Sequence, residues 1–332
     1  MSSPLGIAVS GGPRPSEIIE LVVLAESLGY DSAWIAEGHG GDQFSVLSGC
    51  ALQTSRIRLG TAISSVFVRS IPTIAMAAAT VDDLSHGRFI LGVGSSHRVQ
   101  VVPEHGLEYA KPITRLRESV AIIRQLLATG ATQFDGETVK IENFDLWFQP
   151  RRTALPIYAA AVRPKMMAVC GEIADGIILT RSTLQTGTQA KTQLATGAAL
   201  ADRDPSKIEV TSLLPVAVAE TRAEALNAMR PGLMFYVGFF PRYRQMIADY
   251  GFVEETSAVA DAFAKGERDQ ALRHVTDAMI EASSIAGTPR ECRERIEAYR
   301  ASGIDLPIIS PFARGPNAKA TFEAVIRACA PN

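Results

Sequence analysis

Residues 57–94, IRLGTAISSVFVRSIPTIAMAAATVDDLSHGRFILGVG, hold one full period of the pattern that decides the fold. Ile57 to Ile63 is a short apolar run of strand type. A polar break follows, then a helical stretch from Ile71 to Leu84, then a second apolar run from Arg88 to Val93. Two short apolar runs joined through a helix form the repeating unit of a parallel sheet.

Reading outward, the unit recurs. Leu5 to Val9 is strand-like, and Ile18, Leu21, Val22, Ala25 and Leu28 fall at helical spacing before Gly29 ends the helix. Ser32 to Ala36 and a helix around Phe44 to Thr54 make the next unit. Downstream, Ile113, Leu116, Val120, Ile123 and Leu127 step by three and four, as one buried stripe requires. Between Gln133 and Phe148 the segment DGETVKIENFDLWF sets an Asp135-Gly136 turn signal beside alternating residues, which predicts a β-hairpin after helix 4. The alternation then resumes with Pro156 to Ala161, a helix from Pro164 to Ile173, Ile177 to Leu179, a helix around Thr183 to Asp202, and Val210 to Val218. Thr221 to Ala286 is helical in character and too long for one crossover, so it predicts a helical insertion after strand 7. Helix, strand and helix follow at Pro289 to Ala301, Gly303 to Ser310 and Asn317 to Ala328.

Eight strands alternating with helices predict an α/β fold, a (β/α)8 TIM barrel with insertions, as a single domain over residues 1–332. No linker or composition break divides the chain into halves. Pro215 and Pro307 weaken two of the strands, since proline donates no ladder hydrogen bond. With 47% hydrophobic and 20% charged residues, 332 residues can build a large core. Lys+Arg 33 against Asp+Glu 35, without blocks of like charge, gives no expectation of a nucleic-acid or membrane partner. The start MSSPLGIAVSGG lacks a basic region ahead of an apolar one, and no apolar run of about 18 residues occurs, so a cytoplasmic location is expected. Cys50, Cys170, Cys292 and Cys329 are widely spaced and read as buried thiols rather than a disulfide framework or zinc site.

Several chemistries lose support. Gly92-Val93-Gly94 follows a strand, but His97 stands where a dinucleotide fingerprint needs its third glycine, and the segment behind it reads as an insertion rather than a helix. There is no Gly-x-Ser-x-Gly, Walker or His-Glu-x-x-His motif. No lysine falls in a barrel strand, where a Schiff-base amine would be desolvated, and the 5 histidines have no metal spacing. What remains is a set of strand ends with small and polar residues: Ser10-Gly11-Gly12, Glu37-Gly38-His39, Ser64-Ser65, Gly94-Ser95-Ser96-His97, Ala160-Ala161 and Thr180-Arg181. Barrel active sites lie at this face, and such shallow rims suit a flat cofactor that carries the redox chemistry itself.

The segments AESLGYDSAWIAE, TSRIRLGTAI, LSHGRFILGVG, PIYAAAVRPKMMAVCGEIADGIIL and GTPRECRERIEAYRASGIDLPIISP occur in this order. Together they resemble the luciferase-like monooxygenase superfamily, especially the branch that uses the deazaflavin coenzyme F420. WIAEGHGGDQF and the insertion after Gly94 are similar to that branch more than to the bacterial luciferases. The resemblance implies a cofactor ring across the barrel mouth, beside a non-proline cis peptide at the end of the third strand. Ungapped placement puts that bond at Ala62-Ile63, with Ser64 next to it.

It further implies an acidic residue and a histidine near the ring, matched by Glu37-Gly38-His39 with one glycine between them. His39 is thus the candidate to hydrogen-bond the ring or move a proton. Some dehydrogenases of the branch place a proton-donating glutamate after the fourth strand, next to Gly94. Ser95 stands there in this chain, and His97 is the possible substitute. Plain hydride transfer stays open, to an activated double bond or an imine-like carbon.

The cofactor phosphate is implied at the loops after strands five and six, Ala160-Ala161-Val162-Arg163 and Thr180-Arg181. Pro164 behind them suits a helix start, and Arg163 and Arg181 could add charge-assisted bonds. Val162-Arg163 replaces the family's frequent glycine pair. The insertions 95–112 and 221–286 would wall a small-molecule substrate, with Phe67, Tyr109, Phe235, Tyr236, Phe239 and Phe240 as candidate lining. A homodimer is implied as well. Two further readings are an FMN-dependent monooxygenase served by a separate reductase, and a non-catalytic flavin-binding barrel. No metal is expected.

Overall fold

The computed structural model describes residues 3–9 and 11–331, so Ser10 of the first rim lies outside the described residues. The chain runs β1 (Gly6–Val9), α1 (Pro15–Ser27), β2 (Ser32–Ile35), α2 (Gln43–Gln53), β3 (Arg58–Thr61), β4 (Ser64–Ser65), α3 (Ile71–Leu84) and β5 (Phe89–Gly94). Then come α4 (Arg98–His105), α5 (Pro112–Thr129), β6 (Ala131–Asp135), β7 (Lys140–Asp145), β8 (Ile157–Ala160), α6 (Pro164–Ile173), β9 (Gly176–Thr180), α7 (Thr186–Leu200) and β10 (Glu209–Val218). The remainder holds α8 (Arg222–Phe239), α9 (Pro241–Asp249), α10 (Val253–Ala264), α11 (Arg268–Arg273), α12 (Asp277–Ser283), β11 (Ile285–Gly287), α13 (Pro289–Ala301), β12 (Leu306–Pro311) and α14 (Ala318–Ala328).

Strands β10, β12, β1, β2, β3, β5, β8 and β9 follow one another in the sheet, and a β9–β10 pairing closes the ring. The pairings are parallel, so the predicted eight-stranded barrel is what forms. Its interior is filled by a few large rings set against glycines. Trp34 is fully buried, and a Cβ on Gly60 would lie 2.4 Å from its ring. Tyr158 packs 5.8 Å from Trp34 between ring centroids, and a Cβ on Gly176 would lie 2.7 Å from the Tyr158 ring. Toward the C-terminal end the inward positions shrink to Ala62 just past β3, Gly94 of β5 and Ala160 of β8. Alternate strand residues share a face, so the barrel is plugged by aromatics below and left shallow at its mouth.

Several elements depart from the sequence reading. The third strand stops at Thr61, and pairing resumes at Ser64-Ser65 opposite Val93 and Gly94. A helix, α4, follows β5 where only an irregular insertion is expected; it buries Val101 alone and so shows no apolar stripe. The hairpin spans 131–145, with Asp135 paired to Lys140. Both prolines do sit in strands. Pro215 lies beyond the last β9–β10 pair, Leu213–Thr180, and Pro307 lies before the first β1–β12 pair, Gly6–Ile308, so each has a partner strand on one side only at its level. The insertion after β10 comprises five helices with their own apolar cluster, including Leu233, Val237, Ile247, Val259 and Met279. Its entry is fixed by a capping box in which Thr221 accepts from the Glu224 N–H and Glu224 accepts from the Thr221 N–H.

Candidate functional site

The mouth is organised around the end of the third barrel strand. The Ala62–Ile63 peptide is cis, at the bond the resemblance implies. Three side chains hold this segment. Thr61 donates its hydroxyl to the Gly92 carbonyl at 2.7 Å and accepts from the Gly92 N–H at 2.8 Å. Gln43 reaches the carbonyls of Ile35 and Ile63, each at 3.4 Å. Glu37 accepts the Ser65 N–H at 2.7 Å and pairs through its other oxygen with Arg69. Gln43, Thr61 and Arg69 are absent from the sequence-level site. Each acts on a backbone group or carboxylate far away in the chain, and such a partner leaves no local spacing signal.

The predicted residues fall into distinct positions. Gly94 lies where a Cβ would meet the Ile63 side chain at 2.9 Å and the Ala160 Cβ at 3.3 Å, so the three strand ends converge around it. Ala161 and Ser95 are buried beside this point and Thr180 is partly buried. Glu37, with both oxygens engaged, holds the third-strand end in place. His39 stands on the rim, its side chain 79% exposed, and its Nε2 lies 3.2 Å from Glu104 on α4.

His97 occupies the position before α4 without a side-chain capping bond, and packs 4.9 Å from the Phe240 ring and 5.0 Å from the Tyr243 ring. Burial, with a smaller push from the Arg242 charge, lowers its pKa to about 4. The imidazole is therefore neutral at physiological pH. Arg163 is half-exposed and salt-bridged to Asp249 on α9. Arg181 is buried, with a left-handed φ of 50°, its guanidinium 4.2 Å over the Tyr236 ring.

Of the expected lining aromatics, Phe67 stacks on Tyr109 at 4.6 Å and neither ring pairs with the others. Phe235, Tyr236 and Phe239 of α8 form one cluster with Phe240, the residue between α8 and α9, and Tyr243 of α9 joins it. A cavity of about 660 Å³ opens beside the loops after the fifth and sixth barrel strands, lined among others by Val162, Arg163, Thr183, Thr186, Asp249 and Tyr250.

These features accept a planar cofactor with an anionic tail. Ser64 Oγ is buried at the cis peptide without a hydrogen-bond partner. Ala62, Gly94 and Ala160 leave the strand ends flat. The start of α6 carries no side-chain cap; Pro164 has no N–H and the Met166 N–H bonds the Arg163 carbonyl, which leaves the Lys165 N–H to face an anion next to the cavity.

Fold and site define a (β/α)8 barrel that builds its site at the C-terminal strand ends. Residues 2–306 match the family model of luciferase-like monooxygenases, and the chain belongs to that family. A 5,10-methylenetetrahydromethanopterin reductase of Archaeoglobus fulgidus is 31% identical over 93% of each chain. A second reductase of that name, from Methanolobus tindarius, is 30% identical over 93% of this chain and 94% of its own. Among solved structures, the coenzyme F420 dependent tetrahydromethanopterin reductase of Methanopyrus kandleri aligns over 99% of this chain and 98% of its own, with a TM-score of 0.86 and 26% identity.

Proposed function

We propose that this chain is an oxidoreductase that transfers hydride between coenzyme F420 and a small organic substrate. The observation that carries the reading is the full-length likeness to an F420-dependent reductase at a TM-score of 0.86, joined to a mouth whose strand ends fit a flat ring. The bound deazaflavin would supply a carbon centre that takes or gives hydride. Ala62, Ile63, Ser64, Gly94 and Ala160 would seat the ring. The start of α6 with Ala161, Val162 and Arg163 would hold the phosphate.

The proton inventory narrows the reaction. Ser95 brings no carboxylic acid, and His97 is held neutral by its surroundings. His39 and Glu104 lie together on the rim. A site so poor in acids suits an acceptor that takes hydride at an already electrophilic, imine-like carbon, with no proton delivered at the reacting atom. The insertion after β10 and the segment containing α4 would wall the substrate and exclude water.

The reading includes a cytoplasmic homodimer. The dimer is taken from the family resemblance, and the exposed apolar side chains of Val23, Leu52 and Met76 stand on the neighbouring helices α1, α2 and α3. No helix among the described residues is long and apolar enough to cross a membrane.

The test is titration of the purified protein with oxidised F420 and with FMN in the same salt, followed by fluorescence. Saturation by F420 alone is expected. Saturation by FMN alone, with oxygen consumed when reduced FMN is supplied, would replace this reading by a flavin monooxygenase.

A further inference from the structure

Arg181 differs from Arg163, Arg69 and Arg115. Arg163 is paired with Asp249, Arg69 with Glu37 and Asp42, and Arg115 bonds the Val66 and Thr138 carbonyls. Arg181 is 3% exposed, and its Nε and Nη1 are buried without any acceptor. Among the described residues its charged neighbours include no carboxylate; the groups facing it are the phenols of Tyr236 and Tyr243.

A guanidinium cannot shed its proton to escape burial, and an unpaired buried charge is costly. The backbone is nevertheless built to hold it there. Arg181 keeps a left-handed φ, its N–H bonds the Leu213 carbonyl at 3.1 Å, and Tyr250 donates its hydroxyl to the Arg181 carbonyl at 3.3 Å. A bound molecule can supply the missing counter-charge.

We propose that Arg181 is the receptor for an anionic group, a carboxylate or a phosphate, carried by the substrate that exchanges hydride at this site. The choice of substrate over cofactor follows from what the guanidinium faces. The resemblance implies a cofactor-phosphate role for Arg181, but its guanidinium is turned onto Tyr236 of the insertion, the wall proposed for the substrate, whereas Arg163 and the start of α6 serve the other loop. Tyr243 links the site to His97 at 5.0 Å, so an anion at Arg181 sits close enough to be sensed by that imidazole. The proposal rests on the hydride-transfer reading for the identity of the carrier, and on Arg181 alone for the existence of the anion site.

The experiment titrates the protein, without and with saturating F420, with inorganic phosphate and separately with acetate, following the His97 ring signal by NMR. The wild type is expected to show a saturable shift with at least one anion. In R181Q the half-saturating concentration rises about tenfold or more, R181K recovers part of the loss, and the F420 dissociation constant stays within about twofold. R181K keeps the charge and guards against a folding defect in R181Q, which circular dichroism detects.

Absence of a saturable shift in the wild type, or an unchanged half-saturation in both variants, overturns the proposal. An F420 dissociation constant raised about tenfold in R181Q gives the anion to the cofactor and overturns the substrate assignment. The titration without F420 reads the anion site even if F420 fails to bind, so the two readings fail separately.

Discussion

The hydroxyl of Thr61 both donates to the carbonyl and accepts from the N–H of Gly92, at 2.7 and 2.8 Å. Regular pairing between β3 and β5 covers only Leu59–Phe89 and Gly60–Ile90, so this one side chain supplies the ladder where the strands part. The cofactor seat proposed at Ala62, Ile63 and Ser64 begins at the next residue.

Thr61→Val keeps the shape and removes both bonds, leaving two buried backbone groups of Gly92 without that partner. A loss of about 2 to 4 kcal/mol is expected from two unmade buried hydrogen bonds. Thr61→Ser, which keeps the hydroxyl, should lose much less. Denaturant midpoints of the three proteins measure the difference, and equal midpoints for Thr61→Val and wild type would remove Thr61 from its role. The F420 affinity of Thr61→Val should fall with its stability, because the seat continues directly from that residue.

The barrel was legible because its signals are local and periodic. Helices α6 and α13 match the sequence reading to the residue, at Pro164–Ile173 and Pro289–Ala301. Each opens on a proline at its first turn, and α13 adds a capping box between Thr288 and Glu291. The site was legible only where a resemblance located it, as at Ala62–Ile63. Gln43, Thr61 and Arg69 escaped because their partners lie 8 to 32 positions away, and nothing in their own neighbourhoods marks them. Helix α4 escaped for a different reason. With Val101 alone buried, it shows no stripe that periodicity could detect. Arg181 was legible as a residue of the rim, but its isolation was not, because that is a property of what surrounds it in space.

His97 makes the acid limb of the stability curve predictable in sign. Its folded pKa, lowered to about 4 by burial and by Arg242, lies below the ordinary value of 6.5. Between pH 6.5 and 4 the unfolded chain therefore binds more protons at this residue than the folded one. Stability contributed by the neutral imidazole is present above pH 6.5 and falls as the pH drops through that window. His97→Gln should flatten this part of the profile. NMR titration of the His97 ring in the folded protein should find it neutral at pH 6, and a midpoint near 6.5 would contradict the burial argument.

Arg163 separates stability from binding. Its pair with Asp249 has side chains 44% and 45% exposed, so solvent screens the attraction. Such pairs contribute about 0 to 1 kcal/mol, and Arg163→Ala should leave the unfolding midpoint almost unchanged. Its effect belongs to the anion beside α6. The dissociation constant for F420 is expected to rise about tenfold, as loss of one charge-assisted contact to a phosphate implies. The deazaflavin chromophore without phosphate and tail has nothing to offer Arg163, so its affinity should stay the same in wild type and variant. Fluorescence titrations with both molecules make the comparison. If the two lose affinity equally, Arg163 shapes the ring seat through the loop after β8 rather than meeting the phosphate, and the anion at the start of α6 would then be held by backbone N–H groups alone.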